Sequence, residues 1–109
     1  GRHPRAARVR ITEAQVERVR ALVATIPPGR VTTYGDIACA ARISNPRIVG
    51  WIMRTDSADL PWHRVIPATG RPAPHLASDQ LELLRAEGVL ADDGRVALTD
   101  SVRYDFGAD

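Results

Sequence analysis

The chain has 109 residues with ordinary apolar content and a net charge of +2, which suits one domain with one modest core. No apolar run nears the about 18 residues of a membrane-spanning helix, and no signal-peptide pattern opens the chain, so a membrane partner is not expected and a cytoplasmic location is. The single cysteine, Cys39, excludes an internal disulfide and any cysteine-based zinc site.

Residues 1–11 read as an N-terminal extension, irregular or briefly extended from residue 5. Thr12-Glu13-Ala14-Gln15 has the form of a capping box. Val16, Val19, Leu22, Val23 and Ile26 follow at helical spacing, predicting an amphipathic helix over 13–26 that Pro27-Pro28-Gly29 ends. Thr33 is the candidate N-cap of a second helix, with Asp36 in its first turn and Ile37, Ala38 and Ala41 as its apolar stripe. Asn45 then caps a third helix with Pro46 at its first position, running to about Arg54 with Val49, Ile52 and Met53 inward. Two short helices joined by a tight turn suggest a helix-turn-helix, and Arg42, Arg47 and Arg54 on or beside the third helix favour DNA as its ligand.

Thr55–Leu60 reads as a polar loop, Trp62–Ile66 as a short strand, and Pro67–Ala77 as a loop. Ser78 is the expected cap of a last helix carrying Leu81, Leu83 and Leu84, with Gly88 closing it. Asp93-Gly94 signals a hairpin turn, expected to pair Val89–Leu90 with Val96–Leu98. Residues 99–109 form a polar tail, expected to fray unless Tyr104 and Phe106 dock on the core. The fold class expected is mainly α with short strands, built around a winged-helix-like helix-turn-helix.

Charge is unevenly spread. Residues 1–54 hold ten Arg against three acids, a net of +7, whereas residues 55–109 hold five Arg against ten acids, a net of −5. The basic half offers guanidinium groups suited to phosphates, and the acidic half a possible docking surface. His3, His63 and His75 show no metal-ligand spacing, and neither a metal nor a cofactor is implied.

Four blocks carry a family resemblance across residues 12–98. Pro61-Trp62-His63-Arg64-Val65 is similar to the Pro-Cys-His-Arg-Val signature of the O6-alkylguanine-DNA alkyltransferases. Gly29 to Ala38 resembles Gly-x-Val-x-Thr-Tyr-Gly-x-Ile-Ala, Arg47-Ile48-Val49-Gly50 with Met53 resembles Arg-Ala-Val-Gly-x-x-Met, and Leu83 to Gly88 resembles Leu-Leu-x-x-Glu-Gly. The likeness is to the C-terminal, DNA-binding domain of that family. Tryptophan stands where the family keeps its reactive cysteine. An indole cannot replace a thiolate nucleophile, because its one polar group is an N–H donor. The resemblance is therefore to the alkyltransferase-like proteins, which lack the cysteine and are not enzymes.

What the resemblance implies is specific. Arg47 would be a finger entering the minor groove to fill the gap left by an extruded base, and Tyr34 would press on the target phosphate. Thr33 would serve as N-cap and phosphate contact, and Asn45 and Gly50 would lie at the DNA. Trp51 would either pack inward or lie against a sugar. The lesion pocket would be lined by Tyr34, Trp62 and Val65 with Arg71 or His75 from the following loop. His63, Arg64 and Glu87, a relay in the enzymes, would form a structural network here. Cys39, mid-helix among apolar neighbours, is expected to be buried and inert. The partners implied are duplex DNA containing O6-alkylguanine and nucleotide excision repair proteins, with the protein acting as a monomer, nucleoid-associated when bound. The rival readings are a residual alkyltransferase using Cys39, a hydrolase using His63 and Glu87, or a sequence-specific helix-turn-helix regulator.

Overall fold

The computed structural model describes residues 10–107. The expectation for residues 5–9, the residue His3 and the last two positions of the tail lie outside them. Four helices, α1 (Glu13–Ala24), α2 (Tyr34–Ala41), α3 (Pro46–Thr55) and α4 (Ala77–Ala86), are joined by four two-residue strands. These are β1 (Thr32–Thr33), β2 (Val65–Ile66), β3 (Ala91–Asp92) and β4 (Arg95–Val96). The architecture is mainly α with short strands, as the periodicities predict.

Local chemistry starts the first three helices where expected. The Thr12 hydroxyl accepts from Gln15 N–H at 3.1 Å, while the Gln15 side chain accepts from Thr12 N–H at 2.9 Å, completing the capping box. Thr33 Oγ1 accepts from Asp36 N–H, and Asn45 Oδ1 accepts from Arg47 N–H, each at 3.0 Å. α1 stops at Ala24, two positions before the expected end, because Thr25 closes it and two prolines follow. Between α2 and α3, Arg42 takes a left-handed conformation (φ 60°), and Ile43 N–H reaches back to the Ala38 carbonyl at 2.8 Å. That turn lays α3 against α2, with α1 packed behind both.

The main core is buried between these three helices. It includes Val19, Val23, Ile37, Val49 and Ile52, with Val65 reaching in from β2. Strand alternation sends the neighbouring Ile66 to a second cluster with Val31, Leu84, Val89 and Val96. β1 and β2 run parallel, pairing Thr32 with Val65 and Thr33 with Ile66. This short ladder sets the start of α2 beside the segment that follows Trp62.

Several expectations change. Trp62–Arg64 is a single 3₁₀ turn rather than strand, and only Val65–Ile66 is extended. Pro61 opens the turn, and Arg64 N–H donates to its carbonyl at 3.0 Å. α4 begins at Ala77, one residue before the expected cap: Leu76 occupies the N-cap position without a side-chain bond, and Ser78 lies in the first turn. The Asp93-Gly94 hairpin forms, but it pairs Ala91 with Val96 and Asp92 with Arg95. Both turn residues have positive φ, so the two-residue turn demands pairing immediately beside it. Val89 is instead used in the second core. Gly70 is required where it stands: φ is +82°, and a Cβ there would lie 2.2 Å from the Val96 carbonyl oxygen.

The tail docks through residue 106. Val31 N–H donates to Val102 O at 2.8 Å, and Tyr104 N–H donates to Val31 O at 2.6 Å, continuing the sheet beyond β1. Tyr104 and Phe106 pack edge-to-face, centroids 5.1 Å apart, against the main core. The Arg103 guanidinium clasps Asp36 with two bonds of 2.8 Å. Arg103 holds the Asp36 carboxyl below its usual range, against the opposing effect of burial.

Candidate nucleic-acid interface

α3 divides its residues cleanly. Ile48, Val49, Ile52 and Met53 are buried, whereas Arg47, Trp51 and Arg54 are exposed and Gly50 half-buried. Arg18, Arg20, Arg30, Arg64, Arg71, Arg95 and Arg103 all donate side-chain hydrogen bonds within the protein. Among the described residues, the guanidinium groups of Arg10, Arg42, Arg47, Arg54 and Arg85 have no hydrogen-bond or ion-pair partner, and three of these five, Arg42, Arg47 and Arg54, stand at the helix-turn-helix.

Beside this stripe opens a cavity of about 340 Å³. Tyr34 contributes from the start of α2, Gly50, Met53 and Arg54 from α3, and Ser57 and Ala58 from the loop after it. Trp62, Ala73, His75 and Leu76 close the other side. The volume is in the range of small-ligand sites, and the lining is mixed: aromatic walls with a few polar groups. Tyr34 is partly buried, which raises the pKa of its phenol, and its hydroxyl has no hydrogen-bond partner among the described residues. Ser57 is buried and its hydroxyl donates to the Met53 carbonyl, fixing the loop. Arg20 on α1 steadies the same loop from outside, bonding Asp56 O at 2.8 Å and both Asp59 carboxylate oxygens at 2.9 and 2.7 Å.

Gly50 has no structural reason to be glycine. Its φ is not positive, and a Cβ there would meet nothing within 4 Å. The missing side chain instead leaves open the approach to the cavity along α3.

The 3₁₀ turn separates the roles of Trp62 and His63. Trp62 faces the cavity and packs against the main core. His63 turns to the end of α4, its Nε2 2.8 Å from Glu87 Oε2. Arg64 donates to the same carboxylate from Nε at 3.1 Å and Nη2 at 2.6 Å, and from Nη1 to the Ile26 carbonyl at 2.8 Å. Gly29 N–H completes the set at 3.1 Å. Burial opposes the Glu87 charge, but hydrogen bonds from Arg64, His63 and Gly29 outweigh it and lower its pKa to about 2. Gln80, 2% exposed, donates to the carbonyls of His63 and Val65 at 3.0 and 2.8 Å, tying the turn to α4. Sequence reading missed Gln80; a polar residue amid the leucines of α4 was the available signal.

The structure gathers Tyr34, Gly50, Trp62 and His75, and sets Arg47 and Trp51 on the exposed face beside them. Four expectations are corrected. Thr33 is only 2% exposed with its hydroxyl committed to the cap, leaving almost no surface for a phosphate. Val65 is 1% exposed within the main core and does not line the cavity. Arg71 turns away to the hairpin, donating to Asp93 O at 2.9 Å, so of the two loop candidates His75 is the one at the cavity. Cys39 is exposed, not buried. The buried stripe of α2 uses Ile37, Ala38 and Ala41, and Cys39 falls on the other side, in a cleft with Leu22, Arg30 and Tyr104.

No group of three or more potential metal ligands occurs among the described residues, and no helix there is long and apolar enough to cross a membrane.

Residues 14–89 match the family described as 6-O-methylguanine DNA methyltransferase, DNA binding domain. A DNA base-flipping protein of Escherichia coli is 42% identical over 82 residues, 68% of this chain and 61% of that protein. The chain thus spans about three-fifths of that relative's length. The fold is similar to that of Schizosaccharomyces pombe Atl1, solved in complex with damaged DNA containing O6-carboxymethylguanine: TM-score 0.69 and 30% identity, covering 83% of this chain and 93% of that one. It is also similar to Mycobacterium tuberculosis O6-methylguanine methyltransferase, with a TM-score of 0.61 and 30% identity over 77% of this chain and 53% of that one. From its sequence blocks, its fold and these relatives, the chain belongs to the O6-methylguanine DNA methyltransferase DNA-binding-domain family, which takes in the alkyltransferases and alkyltransferase-like proteins.

Proposed function

We propose that this protein is a non-enzymatic sensor of O6-alkylguanine in duplex DNA. The observation that carries the reading is the content of the cavity: an indole, Trp62, stands in the Pro-x-His-Arg-Val segment where the resemblance places a cysteine, beside the free phenol of Tyr34. The chain's one thiol, Cys39, lines a different cleft. Nothing at the cavity wall can take an alkyl group as a thiolate would.

The mechanism of this reading combines the family resemblance with the placement of these side chains. α3 enters the minor groove with its open side at Gly50, a mode that needs little base identity and so suits lesions in any sequence. Arg47, without an internal hydrogen-bond or ion-pair partner among the described residues, fills the space vacated by the extruded nucleotide, where its planar guanidinium stacks and donates to the orphaned base. Extrusion costs a few kcal/mol, which this replacement offsets. The Tyr34 hydroxyl meets the phosphate of the turned-out nucleotide. Trp62 supplies a flat apolar wall for the purine and its alkyl group, at about 0.8 kcal/mol per buried methylene. His75 faces the base from the loop. The protein acts as a monomer, and the held complex passes the lesion to nucleotide excision repair. His63, Arg64 and Glu87 act as structure, since none lines the cavity.

Titrating duplexes that carry guanines with graded O6-alkyl groups, with a fluorescent base analogue reporting flipping, tests this reading. Affinity should exceed that for undamaged DNA and rise with alkyl size until the cavity is filled. Equal affinity for damaged and undamaged duplexes would refute it.

A further inference from the structure

α3 carries one large apolar side chain that the fold leaves unused. Trp51 is 49% exposed, whereas Ile48, Val49 and Ile52 of the same helix are buried. The Arg54 guanidinium lies over its ring, 5.3 Å from the centroid. Arg47, Gly50, Trp51 and Arg54 recur at helical spacing and form one stripe. Gly50 and Arg54 both line the cavity and Trp51 does not: around the helix Arg54 lies between Gly50 and Trp51, so the indole stands just outside the cavity, on the far side of Arg54. An exposed tryptophan backed by an arginine, on a stripe with a second arginine that has no ion-pair partner among the described residues, fits an anionic partner with flat apolar faces. Nucleic acid has both.

We propose that Trp51, backed by Arg54, is a second probe of the duplex: a wedge that enters a base step flanking the extruded nucleotide and makes capture depend on the flexibility of that step. The inference rests on the DNA-sensing reading above. Four residues of helix advance about 6 Å, whereas successive bases rise about 3.4 Å. Arg47 and Trp51 therefore cannot share one gap, and each must probe its own position. Apolar side chains inserted from the minor groove unstack a step and kink the duplex. Pyrimidine–purine steps yield at least cost, and A-tracts resist. Arg54 holds the indole on one face and keeps its charge for the adjacent phosphate.

The test compares wild type, Trp51→Ala and Trp51→Phe on duplexes with one O6-methylguanine flanked by either a TA step or an A-tract. Affinity is read by anisotropy, bending by end-to-end energy transfer and flipping by a fluorescent base analogue. Wild type should bind and bend the TA duplex more strongly. Trp51→Ala should bind it about tenfold more weakly, the scale of one lost base–aromatic contact. It should also bend DNA less and lose the difference between contexts, while still flipping the lesion at saturation. Trp51→Phe should retain most of the wild-type behaviour, and thermal melts should show all three proteins folded. If Trp51→Ala binds, bends and discriminates like wild type, the wedge is wrong although the sensor stands; this would leave the exposed indole for a protein partner. If wild type itself fails to prefer the lesion, the sensor reading falls and the wedge with it.

Discussion

Gly50 and Arg47 show how single residues can matter to a ligand and little to the fold. Gly50 sits inside a helix with open space where a Cβ would be, so Gly50→Ala should raise stability by about 0.5–1 kcal/mol. Gly50→Leu should keep the fold, as judged by a thermal melt, yet weaken binding to lesion-bearing duplex by filling the approach to the cavity. Arg47 makes no internal side-chain contact of hydrogen-bond type among the described residues, so Arg47→Ala should leave the melting temperature nearly unchanged. It should abolish the flipping signal and weaken lesion binding; unchanged affinity would remove the finger role. Thr32 is the reverse case. Its hydroxyl is buried without a partner among the described residues. Thr32→Val should therefore stabilise the protein, by up to about 1–2 kcal/mol in a denaturant titration, because an unmet buried hydroxyl is replaced by a methyl.

The network around Glu87 joins three elements: the 3₁₀ turn, the segment after α1 and the end of α4. Its carboxyl has a pKa of about 2 in the folded protein, below the 4.5 of an unperturbed glutamate. As pH falls, the unfolded chain is protonated first. The stabilisation is thus complete above about pH 5, declines below it and is gone by about pH 2. Glu87→Gln should cost about 2–4 kcal/mol at neutral pH, since Arg64 loses its counter-charge in a part-buried site. Its stability should also lose the wild-type fall between about pH 5 and pH 2. The elements differ in how far sequence reveals them. Helix starts are local events: Thr12, Thr33 and Asn45-Pro46 cap where they stand, and each could be read. Trp62–Arg64 could not, because that turn is held by Glu87 and Gln80 from α4. The hairpin turn was legible in Asp93-Gly94, and its two-residue length sets the register; the pairing of Val89–Leu90 fails because Val89 is drawn into the second core. Cys39 misled because its neighbours in sequence are apolar, yet only Ile37, Ala38 and Ala41 share the buried side of α2.

At the scale of the molecule, the asymmetry of charge becomes spatial. Most internal ion pairs consume arginines away from α3, and those left free at the helix-turn-helix suit phosphates. Affinity for duplex DNA should therefore fall with rising salt, log Kd against log salt being linear. Loss of Arg42 or Arg54 should reduce the slope by about one each; a flat salt profile would contradict a phosphate-dominated interface. The tail, polar in sequence, becomes part of the fold through Asp36 and Arg103, sixty-seven positions apart. No local pattern could announce that contact, although Tyr104 and Phe106 marked the residues able to make it. The family blocks made Tyr34, Trp62 and the Glu87 network readable in advance. The choice of His75 over Arg71 needed the path of the loop.

The central claim is that the protein holds an alkylated base without altering it. Duplex DNA carrying O6-methylguanine with a labelled methyl group, incubated with stoichiometric protein and then recovered, tests this directly. A lesion-selective complex should form, and all label should return in intact O6-methylguanine within the DNA. Label on the protein, or released as free base or methanol, would contradict the account.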